Sequence, residues 1–179
     1  MTNKGENMRY ALALLLVAVF FCNAVQAQSL QEIDKREAAV LDAWNATPLT
    51  VRRAIFVDGH PEGFGQYVER ANNVFKKGEP LVTYVEPVGY GWKDVDNGVC
   101  EFGFKADWLV KSADGKVLGG KEDFADITKK SHARNREFDV VLTLNLSDIT
   151  PGDYILEYTL HDIASSKTYT ISQPFKVVG

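Results

Sequence analysis

The chain has 179 residues, the length of a single domain, because one hydrophobic core stops growing at roughly 250–300 residues. It is 45% hydrophobic and 25% charged, which excludes a disordered or low-complexity chain. With 20 Lys and Arg against 24 Asp and Glu, the net charge of −4 has the wrong sign for a nucleic-acid partner.

Lys4 and Arg9 precede the apolar run from Tyr10 to Phe21, and Val25-Gln26-Ala27 places compact residues at the −3 and −1 positions of a cleavage site. This pattern predicts a signal peptide over residues 1–27, with translation starting at Met1 or Met8. The run is shorter than the roughly 20 residues that span a bilayer, so no membrane insertion is expected after cleavage. Phe20 and Phe21 are too bulky to precede a lipidated Cys22. The expected location is secreted or periplasmic. Cleavage removes Cys22 and both methionines, leaving Cys100 as a lone thiol without a disulfide framework.

Residues 28–47 read as an N-terminal helix. Ser29 and Glu32 have the spacing of a capping box; Leu30, Ile33, Val40 or Leu41, and Trp44 follow at helical intervals, and Asn45-Ala46-Thr47-Pro48 ends the pattern. An amphipathic helix of this kind is expected to pack on the domain it precedes.

From Pro48 the period changes from 3.6 to 2, and residues 48–179 read as an all-β body. In the clearest strand, Cys100, Phe102, Phe104, Ala106, Trp108 and Val110 share one face. Phe138 to Leu146, Tyr154 to Leu160 and Tyr169 to Val177 repeat the alternation, and weaker strands are expected near 50–57 and 81–87. Asn97-Gly98 and Asp114-Gly115 are type I′ hairpin signals, and Pro151-Gly152-Asp153 is a turn before a strand. About seven strands result.

Two features carry a resemblance. Ile149-Thr150-Pro151-Gly152-Asp153-Tyr154-Ile155-Leu156 looks like a tyrosine corner opening a sixth strand, and Trp108 stands inward on the third. The region of roughly 50–178 thus resembles bacterial-type immunoglobulin-like and fibronectin type III-like sandwiches. The resemblance implies a seven-stranded immunoglobulin-like antiparallel sandwich preceded by one helix, and it implies no particular activity.

Alternating strands sort the loops onto two ends. Residues 89–96, 129–136 and 162–167 are expected together, and binding on such scaffolds commonly uses end loops. Tyr90 and Trp92 suit stacking on a sugar or anchoring a protein. Lys129, Lys130, His132, Arg134 and Arg136 suit a carboxylate or phosphate. The sequence has no Cys-x-x-Cys, no Gly-x-Ser-x-Gly and no phosphate-cradling glycine loop, so neither catalytic residues nor a cofactor are expected. The function expected from the sequence is therefore an exported, non-enzymatic module that binds a protein, peptide or glycan through this end. The alternative is a metal-binding or metal-dependent protein using His132 and His161 with nearby carboxylates.

Overall fold

A computed structural model describes residues 29–179; the expected signal peptide, its cleavage site and Cys22 lie outside the described residues. Helix α1 runs over 29–46. Glu32 accepts a hydrogen bond from Arg36 at 2.8 Å, one turn on, instead of making the expected capping contact. The chain divides between Ala43 and Trp44 into two compact units. In the first, Leu30, Ile33 and Val40 are exposed. No described helix is long and apolar enough to cross a membrane.

The second unit is all β, in two antiparallel sheets with one parallel pairing. Its strands are β1 (Thr50–Gly63), β2 (Gln66–Glu69), β3 (Val74–Lys76), β4 (Leu81–Val88), β5 (Lys93–Asp94), β6 (Cys100–Ser112), β7 (Val117–Ser131), β8 (Val140–Leu144), β9 (Gly152–Asp162) and β10 (Thr168–Val178). Ten strands replace the seven expected, because β2, β3 and β5, of two to four residues, are too short to show a period in sequence. Sheet one has the order β2-β1-β4-β8. In sheet two, β10 lies between β3 and β9, and β9 pairs β6. Cys100 and Glu101 of β6 pair β5 on one side and β7 on the other, so β7 forms an edge.

Two strands run further than the sequence pattern indicated. Residues 58–63 continue β1 into a hairpin with β2, through a register shift after Asp58 next to Gly59 at φ +73°. Lys129 and Lys130 belong to β7, held opposite Phe102 and Glu101 by pairing with β6.

Both inner faces follow the expected alternation. Cys100, Phe102, Phe104, Ala106 and Val110 are buried from β6, Leu156, Tyr158 and Leu160 from β9, and Ile171, Phe175 and Val177 from β10. They meet Phe56, Leu81, Val85, Val140, Leu142 and Leu144 of sheet one. Thr83 of β4 donates to Gln173 of β10 at 3.0 Å, a buried hydrogen bond across the sandwich. The Cys100 thiol is buried and faces the Ser131 and Ala133 carbonyls. Trp108 stands on the inward parity of β6 as expected but is less buried than its neighbours there. It is half-buried, because Gly119 of β7 stands beside its ring and covers it with no side chain.

The turns follow backbone chemistry. Asn97 at φ 59° and Gly98 at φ 71° give the type I′ geometry expected between β5 and β6. At Asp114-Gly115 only the glycine has positive φ, and Gly115 N–H returns to the Ser112 carbonyl. This is a type I turn closed by a left-handed glycine rather than the expected I′.

Candidate functional site

The three connections expected together do meet at one end of the sandwich. Asp162, at the end of β9, is buried and accepts from Gly91 N–H at 2.8 Å, Ala164 N–H at 2.9 Å and the Ser165 hydroxyl at 2.5 Å. Its carboxylate thus replaces lost water with three donors and ties the loop after β4 to the loop after β9. The Lys167 ammonium spends its three donors on the carbonyls of Asn45, Thr47 and Gly89, at 3.3, 2.9 and 2.7 Å. Gly89 has φ +81°, and a Cβ there would stand 2.6 Å from the Pro48 carbonyl oxygen, so only glycine lets the two segments approach.

Tyr90 is the centre of this end, with 0% of its surface exposed. It meets Trp44 edge-on at 5.1 Å and stacks on Phe102 at 5.9 Å, with Phe104 and Phe138 edge-on. Its hydroxyl donates to the Asn135 carbonyl at 2.8 Å, and burial pushes its pKa well above the ordinary tyrosine value. Trp44 Nε1 donates to the Tyr90 carbonyl at 2.8 Å. Tyr90 is therefore core, a correction to its expected place on an exposed binding loop: the aromatic collar around it removes it from any partner's reach. Trp92 is half-buried beside Trp44 and Tyr90, with ring centroids 5.7 and 5.3 Å away.

The cations expected at this end lie at its surface, but acids lie among them. Lys130 pairs with Glu101 at 3.2 Å, Arg134 faces both carboxylate oxygens of Asp94 at 3.4 Å, and His132 Nδ1 lies 3.3 Å from the Gly98 carbonyl. Lys129 is exposed and Arg136 half-buried. His161 stands on the outer face of sheet two, where its Nε2 lies 2.7 Å from Asp107. Asp107 also accepts from Asp123 N–H at 2.8 Å. Among the described residues no three of His, Cys, Asp and Glu are grouped to hold a metal, so the geometry needed by the metal alternative is not assembled.

A second feature, not singled out from the sequence, lies at the opposite end. Trp108 and Val110 of β6, Leu118 and Gly119 of β7, the segment 145–150 after β8, and Tyr154 enclose a groove of about 420 Å³. Leu146 and Ile149 add to its apolar wall, and Asn145, Asp148 and Thr150 supply polar atoms. The Tyr154 hydroxyl donates to the Thr150 carbonyl at 2.7 Å, the contact expected of a tyrosine corner, and so fixes the loop that forms one wall. The signal for the groove was present in Gly119, which leaves the Trp108 ring without a neighbouring side chain on β7.

No protein-family model matches the chain, and comparison with curated proteins finds no match.

Proposed function

We propose that this chain is an exported, non-enzymatic binding module that recognises a protein or peptide through the groove beside Trp108. The observation that carries the reading is the groove itself. It offers a half-buried indole, exposed Leu118 and partly buried Leu146 and Ile149 in one concavity, with Asn145, Asp148 and Thr150 to orient a ligand. Apolar concavity with few polar groups is the usual form of a recognition site, and a large aromatic is its usual anchor. The location is proposed as secreted or periplasmic, from the charged and apolar pattern of residues 1–27.

The finer resemblance, to an immunoglobulin-like or fibronectin type III-like domain, is supported by the strand partition. With β1, β4 and β8 as strands A, B and E, β6, β9 and β10 take the places of C, F and G in the other sheet. β7 pairs β6 instead of crossing to β8, which sets the domain apart from the constant-type arrangement, whose fourth strand joins A, B and E.

Leu118→Asp tests the function. Leu118 is 52% exposed, so the substitution places a charge in the groove at little cost to the core. Peptides selected from a displayed random library against the purified protein are expected to lose binding to this variant while its melting temperature stays unchanged. The companion variant Lys129→Glu, Arg134→Glu is expected to retain them. Loss of binding in the companion and retention in Leu118→Asp would move the site to the cationic end and overturn the proposal.

A further inference from the structure

We infer that the occupant of the groove is an extended apolar segment flanked by Lys or Arg, which adds as a strand to the open edge of β8. The inference rests on the groove as the binding surface and names the partner's chemistry.

The two sheets end side by side, with β8 closing sheet one and β7 at the edge of sheet two. An edge strand presents unpaired backbone donors and acceptors, and proteins guard such edges with charge, proline or a bulge. β7 is guarded. Its ladder with β6 shifts register near Asp123, which has φ +47°, and Lys121, Glu122, Asp126, Lys129 and Lys130 line it. β8 carries none of these devices. Val140-Val141-Leu142-Thr143-Leu144 contains no charge, glycine or proline, and it pairs β4 over five residues without a register shift. The chain leaving β8 becomes the groove wall at Asn145 to Thr150. A strand laid along β8 would therefore continue directly over Trp108 and Leu118. Strand addition takes affinity from main-chain hydrogen bonds and specificity from cavities that receive alternate side chains.

Charge selects among extended segments. From Glu137 to Ser166 the sequence has no Lys or Arg, whereas Glu137 and Asp139 precede β8 and Asp148 follows it. An apolar strand with cations at its ends complements this edge, and one with acidic ends is repelled.

The probe is the acetylated and amidated peptide Lys-Thr-Val-Thr-Val-Thr-Val-Lys, labelled for fluorescence anisotropy and titrated with the purified protein. Three relatives accompany it: two isomers N-methylated on one or the other set of alternate amides, and a form with Glu in place of both Lys. Binding of the parent is expected to weaken about tenfold in one N-methylated isomer, which loses the amides facing β8, and less in the other. The Glu-flanked form is expected to bind several-fold more weakly, with the difference shrinking as salt is added. Equal binding by both N-methylated isomers and the parent would overturn strand addition. If the parent fails to bind while library peptides still bind in a Leu118-dependent way, the strand inference fails and the groove reading stands. If Leu118→Asp leaves every ligand unaffected, the groove reading fails. Sedimentation of the protein alone as a dimer that the peptide dissociates would assign the edge to a second copy and overturn the partner proposed here.

Discussion

Tyr90 sits where three connections have to be held together, and its two ends do different work. The ring fills the space among Trp44, Phe102, Phe104 and Phe138, while the hydroxyl satisfies the Asn135 carbonyl in the loop that leads to β8. Tyr90→Phe keeps the ring and is expected to cost about 1 kcal/mol, the net worth of one hydrogen bond. Tyr90→Ala empties the site and is expected to cost about 3–5 kcal/mol. Denaturant unfolding of the two variants measures both, and a Tyr90→Ala protein as stable as the parent would contradict the packing described. In sequence, Gly89-Tyr90-Gly91-Trp92 read as a flexible aromatic loop. Gly89 instead admits the backbone of Thr47 and Pro48, and a Cβ on Gly91 would lie 3.3 Å from Ala164. A glycine that permits a close approach looks the same in sequence as one that permits motion.

At the scale of elements, the join among β6, β7 and β9 depends on Asp107. It receives the Asp123 N–H where β7 bulges and meets His161 of β9 on its other oxygen. Burial works to raise its pKa, but the His161 hydrogen bond and the Asp123 N–H outweigh it and hold the carboxyl below the usual value of 3.8. A carboxyl depressed in the folded state contributes stability that is complete above the unfolded-state value and is lost as pH falls through the folded one. The difference in melting temperature between the parent and Asp107→Asn is therefore expected to be widest at neutral pH and to close as pH drops below about 4. A difference unchanged at pH 3 would show that Asp107 acts through packing alone. His161 was a metal-ligand candidate by residue type, and only the pairing of β6 with β9 revealed a neighbouring carboxylate as its partner.

For the whole molecule, three buried phenols are expected to make stability fall at alkaline pH. Burial is the largest cause in each: it pushes Tyr84 up to about 12 and holds Tyr90 and Tyr158 further above the ordinary value of 10. The unfolded chain loses these protons first. Stability is thus complete below pH 10 and falls as pH rises toward 12 and beyond. Phenolate absorbance followed beside circular dichroism is expected to show these three groups ionising together with loss of structure. Their ionisation near pH 10 in a fully folded protein would contradict their burial.

Alternation from Cys100 to Val110 and from Tyr154 to Leu160 made the sheets, their inner faces and the two-layer architecture legible in sequence, because a period of two needs only a buried and a wet side. The tyrosine corner and the Asn97-Gly98 turn were equally legible, since both are local contacts made within a few residues. What the linear order left open were properties of approach between distant segments. The short strands β2, β3 and β5 exist because a neighbour pairs them, and Trp108 is half-covered because the β7 residue beside its ring, Gly119, has no side chain. Tyr90 is buried because segments separated by more than 40 residues close around it. Side-chain parity is decided within one strand, whereas exposure and edge position are decided by which strands become neighbours, and that is a property of the tertiary structure.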